Sequence, residues 1–178
     1  AKKLKIGLVG NPNSGKSTVF NHLTGGRAHV GNWPGVTVEK KEGKFQFQDY
    51  EITVVDLPGI YALTAHSVDE RIARDFILKE KPDGIVVIVD ASNLERNLYL
   101  ATQLLELGVN IVLDLNMMDI VRSRGITIDT KKLSQVFGVI VVETVASKGE
   151  GIEKLKEAIV NGLKEKRGYF SIDYGEDI

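Results

Sequence analysis

The stretch "GNPNSGKST", residues 10–18, sets two glycines either side of four residues and follows them with a lysine and two hydroxyls. It comes directly after the apolar run "LKIGLVG" (4–10) and opens a helical pattern that begins at Lys16. Strand, glycine-rich turn and helix N-terminus in that order make a phosphate cradle. Gly10 and Gly15 let the backbone turn inward, so that the loop of Asn11, Pro12, Asn13 and Ser14 wraps an anion. Lys16 then brings a full charge to the β and γ phosphates of a nucleotide, Ser17 is placed to ligate Mg²⁺, and Thr18 adds a donor in the first helical turn.

Outward from this loop, further strand-like runs lie at "GKFQFQ" (43–48), "EITVVDL" (51–57), "GIVVIVD" (84–90), "NIVLDLN" (110–116) and "GVIVVET" (138–144). Only "GKFQFQ" alternates apolar with polar, which places it at a half-exposed sheet edge. The others are nearly continuous Val, Ile and Leu, as strands covered on both faces are. Helical patterns fall between them at Lys16–Leu23, Val68–Leu78, Glu95–Leu107, Thr130–Phe137 and Gly151–Leu163. In the last, Ile152, Leu155, Ile159 and Leu163 share one face. The alternation predicts an α/β domain with a six-stranded, mostly parallel sheet, one antiparallel edge strand and helices on both faces. Sheets of this kind bind ligands at the carboxyl ends of their strands. The stretch "TGGRAHVGNWPGVT" (24–37) reads as a long irregular loop, too rich in glycine for a regular element.

Composition narrows the function. A chain of 178 residues suits one domain. With 23 Lys and Arg against 24 Asp and Glu, its net charge of −1 favours neither a nucleic acid nor an anionic membrane surface. The absence of cysteine excludes disulfides, thiolate metal sites and cysteine nucleophiles, and fits a reducing, cytoplasmic setting. No apolar run reaches the roughly 20 residues that cross a bilayer, and the N-terminal residues do not read as a signal peptide, so these residues are expected to be soluble. The histidines His22, His29 and His66 show no metal-ligand spacing, and iron binding by this chain is not predicted. The run "EKKE" (39–42) reads as a solvated edge.

Other segments discriminate among nucleotides. Asp56 ends a buried strand, where a carboxylate needs a charge to serve, and Mg²⁺ suits it. Gly59 follows in "DLPG" and offers a backbone N–H to a γ-phosphate. Thr37, next to Gly35 and Val36 in "GNWPGVTVE", carries a hydroxyl that could close over the metal. Asn116 and Asp119, in "NMMD", stand at the carboxyl end of a strand. A carboxylate there accepts two hydrogen bonds from the N1–H and N2 amino group of guanine, which adenine cannot supply. Met117 covers a face of the base, and Ala146, Ser147 and Lys148 of "ASK" follow one strand later. Asn116 and Asp119 as a plain helix start is the competing reading.

With these motifs in this order, residues 4 to about 165 resemble a small Ras-type P-loop GTPase. More narrowly, "GNPNSGKST", "VGNWPGVTVEKKEG", "VVDLPGIYALT" and "DASNLERNLYLATQLLELG" resemble the N-terminal cytosolic domain of the ferrous iron transport protein B family. That resemblance implies a GTP-operated domain of a prokaryotic iron transporter in the plasma (inner) membrane. The domain would lie on the cytoplasmic side, followed by helical and transmembrane portions of the same polypeptide, with self-association in the whole transporter left open. Residues 1–165 would then be the GTPase domain and 166–178 the start of the connection.

The resemblance also marks departures. Ile60 stands where Ras-like proteins place the glutamine that orients the attacking water, so turnover should be slow. Met117 replaces the usual lysine of N-K-x-D. Asp114 interrupts an apolar strand without an evident reason. In the resembling family the asparagine at Asn13 helps hold K⁺ where an arginine finger would act, which puts Asn13 beside Lys16, Thr37 and Gly59 among the catalytic candidates. Arg27 reads as a solvated charge. Trp33 reads as a loop anchor. Two other functions stay open: a module in which occupancy by GTP or GDP matters and hydrolysis is incidental, and a ribosome- or RNA-assembly GTPase.

Overall fold

The computed structural model describes residues 2–164; the expected connection at 166–178 lies outside them. Seven strands form one sheet in the order β2-β3-β4-β1-β5-β6-β7. They are β1 (Lys2–Gly10), β2 (His29–Asn32), β3 (Glu39–Phe47), β4 (Tyr50–Asp56), β5 (Gly84–Asp90), β6 (Ile111–Asn116) and β7 (Ile140–Glu143). Strands β4, β1, β5, β6 and β7 run parallel, and β3 and β2 are antiparallel to their neighbours.

The α/β class and the mostly parallel sheet hold, but the strand count rises from the expected six to seven and the edge moves. His29–Asn32, expected to be irregular, pairs with Glu39–Glu42, so "EKKE" is the first half of β3 and not a loose solvated edge. All four residues of β2 are exposed. It is held by backbone pairing alone, which leaves no apolar alternation for a sequence reading to find.

The helices are α1 (Lys16–Thr24), α2 (Val68–Asp75), α3 (Leu94–Glu106), α4 (Met118–Ser123), α5 (Thr130–Phe137) and α6 (Ile152–Leu163). One sheet face packs Ile6, Leu8, Ile88 and Val112 against Val19, Phe20 and Leu23 of α1 and Leu155, Ile159 and Leu163 of α6. The other packs Val9, Val87, Leu113 and Leu115 against α2, α3 and α4. Local chemistry sets the helix ends. Ser67 caps α2 by accepting from the Glu70 N–H at 3.1 Å, and its hydroxyl donates to the Glu70 carboxylate at 3.1 Å. Asp129 caps α5 through the Lys132 N–H at 3.0 Å. The predicted helix 68–78 changes pitch: past Asp75 it continues to Glu80 as a π-helical turn, with Phe76 and Ile77 buried.

The carboxyl ends of β1, β4, β5 and β6 finish side by side at Gly10, Asp56, Asp90 and Asn116. The cradle, D-L-P-G, N-M-M-D and A-S-K all leave this edge of the sheet, and the β2–β3 turn emerges at it too, because the start of β3 lies beside the end of β4, with Lys41 level with Asp56.

Candidate nucleotide site

The cradle starts where β1 runs out. A side chain at Gly10 would strike the Ile88 carbonyl at 2.6 Å and the Ser14 hydroxyl at 2.6 Å, so only glycine lets the chain turn away from β5 there. Asn11 then accepts from the Ser14 N–H at 3.0 Å, closing the loop. Gly15 is the N-cap of α1 at φ +87°, a left-handed conformation natural to glycine. No side chain caps α1 and its first turn has no acidic residue. The N–H groups of Lys16, Ser17 and Thr18 therefore face an anion's position with the helix dipole behind them.

Pro12, Gly15, Lys16, Ser17 and Gly59 line one pocket at this point, joined by Asp69 from α2. The Lys16 ammonium forms an ion pair with Asp56, both side chains about nine-tenths buried. That contact brings the β4 carboxylate to Lys16, which is next in sequence to Ser17 and lines the same pocket. A carboxylate and a hydroxyl are hard oxygen donors of the kind Mg²⁺ takes while keeping several waters, so these residues fit the metal. The D-L-P-G loop is seated on the cradle: Leu57 N–H donates to the Leu8 carbonyl at 3.1 Å and Ile60 N–H to the Gly10 carbonyl at 3.0 Å. Ile60 itself is buried, 3% exposed, and packs into the core.

On the base side, Asn116 is a junction. Its amide nitrogen donates to the Ser14 carbonyl at 2.9 Å, and its Oδ1 accepts from the Ala146 N–H at 3.0 Å with the Thr144 hydroxyl at 3.2 Å. One side chain thus ties the phosphate loop to "NMMD" and to "ASK". Met117 takes φ +65° as N-cap of α4, with its terminal methyl close to Gly15. Asp119 sits half-exposed in the first turn of α4, where the helix-start reading places it. Ala146 is buried, while Ser147 and Lys148 are exposed in a single 3₁₀ turn.

Thr37 is not among the residues lining the Lys16 pocket. It is exposed in the turn that joins β2 to β3, closed by Trp33 N–H to the Val38 carbonyl at 2.9 Å and Val36 N–H to the Trp33 carbonyl at 3.2 Å. Gly35 is exposed in the same turn and Val36 leans on the core. Trp33 anchors the turn as the sequence suggested: it is 5% exposed, edge-on to Phe76 at 6.1 Å between ring centroids, with the Lys40 ammonium 4.7 Å over its ring.

Asn13 is likewise outside the Lys16 pocket. It lines a neighbouring polar pocket with Asn11, Ser14, Tyr61, Asp90 and Arg96. Arg96 had escaped notice. It lies on α3, far from the cradle in sequence, and its guanidinium stands 5.3 Å over the ring of Tyr61. Asp69 and Thr144 were missed too, because neither belongs to a local motif. Among the described residues no cluster of His, Asp and Glu could hold a metal by itself, and no helix is long and apolar enough to cross a membrane.

A strand feeding a phosphate cradle, a D-L-P-G loop seated on it, and N-x-x-D and A-S-K loops tied to it through Asn116 define a Ras-like P-loop GTPase domain. Comparison with known proteins makes this narrower. The chain belongs to the family described as ferrous iron transport protein B, whose N-terminal model matches residues 4–159. It is 56% identical over 162 residues to the Fe(2+) transporter FeoB of Salmonella typhimurium, covering 89% of this chain and 21% of that protein. The same protein of Escherichia coli K12 is 55% identical over the same coverage. The chain thus spans about a fifth of the length of these relatives. Among solved structures it is similar to the FeoB G-domain of Methanococcus jannaschii, at 53% identity and TM-score 0.83, covering 93% of this chain and 100% of that one. It is also similar to the cytosolic domain of T. maritima FeoB in a GDP form, at 42% identity and TM-score 0.92, covering 98% of this chain and 70% of that one.

Proposed function

We propose that the chain is the guanine-nucleotide switch of a ferrous iron transporter: it binds GTP with Mg²⁺, hydrolyses it slowly and passes the change of state to helical and transmembrane portions of the same polypeptide. That setting would put it on the cytoplasmic face of the plasma membrane. The observation that carries the reading is Asn116, whose bonds to Ser14 and Ala146 join a phosphate cradle to a base-recognition loop. Relatives solved in GDP and GMPPNP forms support it.

In this reading Lys16 leaves Asp56 for the β and γ phosphates, and the N–H groups of Gly15 to Thr18 hold the phosphate oxygens. Ser17 and Asp56 would hold Mg²⁺, with Thr37 joining if the β2–β3 turn closes. Bound there, the metal neutralises charge that develops on the phosphates. Gly59 donates its N–H toward the γ-phosphate. Asp119 accepts from the guanine N1–H and N2 amino group, Met117 covers the ring, and Ala146, Ser147 and Lys148 form the far wall.

With Ile60 buried, no side chain at that position orients the water, which favours slow turnover and gives weight to a second reading in which occupancy by GTP is itself the signal. Asn13 would hold K⁺ beside the phosphates. The test is single-turnover GTP hydrolysis with Mg²⁺ in KCl and in NaCl at equal ionic strength, with Asn13→Ala and ATP as controls. Slow hydrolysis, faster in KCl and losing that gain in the variant, is expected. Equal competition by ATP for the site would sink the guanine assignment, and tight GTP binding without turnover in either salt would favour the occupancy reading.

A further inference from the structure

Three polar side chains lie buried beneath the base-recognition loops. Asp114 and Thr144 are 0% exposed and Asn116 is 3% exposed. Asp114 sits in the middle of β6, level with Ile88 of β5 on one side and Val142 of β7 on the other. The Thr144 Oγ is 2.6 Å from Asp114 Oδ1 and 3.2 Å from Asn116 Oδ1. Asp114 Oδ2 has no hydrogen-bond partner among the described residues.

The hydrogens available do not suffice if Asp114 is ionised. Thr144 has a single hydroxyl hydrogen, and a carboxylate and an amide oxygen are both acceptors. The hydrogen would go to the charged, closer group, leaving the Thr144 oxygen facing Asn116 Oδ1 with nothing between them. A neutral Asp114 removes the conflict. Its carboxyl O–H donates to Thr144 Oγ, the Thr144 hydrogen turns to Asn116 Oδ1, and the unpartnered Oδ2 is a carbonyl oxygen and not a buried charge.

We infer that Asp114 is a positioning residue for guanine-nucleotide binding: as the neutral acid it aims the Thr144 hydroxyl at Asn116 and so fixes the side chain that joins phosphate loop and base loops. The inference rests on the guanine-nucleotide reading above. Burial pushes the Asp114 carboxyl up to about 7, against the opposing pull of the Thr144 hydrogen bond. The charged and titratable groups on the surrounding elements are Lys16 and His22 of α1, Asp90 of β5, Asp119 and Arg122 of α4, Glu143 of β7, Lys148, and Glu153, Lys154, Lys156 and Glu157 of α6. None contributes to that shift, which burial and Thr144 set between them. As pH rises through this range, Asp114 ionises and Asn116 Oδ1 loses one of its two donors.

The experiment is titration of the whole chain with fluorescent GDP at pH 6 and at pH 8.5, for wild type, Asp114→Asn and Thr144→Val, with infrared spectra of the wild type and Asp114→Asn over the same range. Asparagine donates to Thr144 at every pH, so it should bind GDP as wild type does at pH 6. Wild type should then weaken about fivefold relative to that variant by pH 8.5, the worth of one hydrogen bond. Thr144→Val should bind weakly at both. A carboxylic acid C=O band present at pH 6, absent from Asp114→Asn and lost as pH rises would track the proton itself, and it reads the wild type even if a variant fails to fold. Parallel affinity profiles for wild type and Asp114→Asn, or no such band at pH 6, would overturn the inference. If wild type binds no GDP at either pH, both inference and functional reading fall; an intact infrared titration would then show that the nucleotide assignment, not the proton, was wrong.

Discussion

Asp114→Asn should alter how the stability of this domain depends on pH, and the size of the change follows from burial. The native carboxyl holds its proton to about pH 7, against an ordinary value of 3.8. Below 3.8 the folded and unfolded chains both carry the proton and the residue is neutral to folding. Between the two values the unfolded chain gives the proton up while the native state keeps it, so each pH unit removes about 1.4 kcal/mol of stability. Above 7 both states are ionised and the loss levels off on the order of 4 kcal/mol. From pH 5 to pH 8 the loss amounts to roughly 2–3 kcal/mol. Asparagine does not titrate, and whatever its own unpaired N–H costs is the same at both pH values. Urea denaturation of both proteins at pH 5 and pH 8 measures the difference. The stability of the variant relative to wild type should rise by roughly 2–3 kcal/mol toward alkaline pH. A constant difference would mean that Asp114 is ionised throughout, and the hydrogen-bond relay drawn from it would fail.

Gly15→Ala should disable the site through Asn116. The added methyl would lie well inside contact distance of the Asn116 amide nitrogen, at a backbone angle of φ +87°. Left-handed strain and one lost hydrogen bond together cost about 2–3 kcal/mol, read by urea denaturation, and GDP binding should drop sharply in the same protein; wild-type binding would show that Asn116 does not hold the loop. Trp33→Ala should remove about 3–5 kcal/mol, because the ring is buried against Phe76. A loss below about 1 kcal/mol in thermal or urea unfolding would show that the β2–β3 turn is not anchored there.

The parallel part of the sheet was legible because its strands are nearly continuous runs rich in Val, Ile and Leu, as burial on both faces requires. Strand β2 was not. His29, Val30, Gly31 and Asn32 are all exposed, and their pairing with "EKKE" is a backbone affair that no side-chain pattern records. Helix α4 spans six residues, too few to display a period. The same division runs through the site. The cradle is contiguous in sequence, so its chemistry could be read from nine letters, whereas Asn116 acts on Ser14 from 102 residues away and on Ala146 from 30. Asp114 showed as an anomaly in an apolar strand. Its partner Thr144 was invisible until the fold set β6 beside the segment that follows β7.

The contacts divide the site into two halves that differ in how firmly they are held. On the base side, Asn116, Thr144 and Asp114 are buried and cross-linked, and the Met118 N–H adds a bond to the Thr144 carbonyl at 3.2 Å. Movement there would break several buried polar contacts together. On the phosphate side, the segment from Leu57 to Ser67 hangs on separate tethers: Ile60 to Gly10, Leu63 N–H to Gln103 of α3 at 2.8 Å, Arg74 of α2 to the Leu63 carbonyl at 3.2 Å, and Thr64 N–H to Glu70 at 3.0 Å. The Thr64 hydrogen bonds and Ser67 hold the Glu70 carboxyl below the usual range, so that tether is charge-assisted near neutral pH. The Thr64 bonds to Glu70 can be exchanged for water without disturbing the core, because Thr64 is exposed, whereas the bonds of the buried Ile60 and Leu63 are few and far apart along the segment. A γ-phosphate that draws Lys16 from Asp56 and engages Gly59 would therefore act on the half of the site that yields, and the first elements to feel it would be α2 and α3, to which the tethers run.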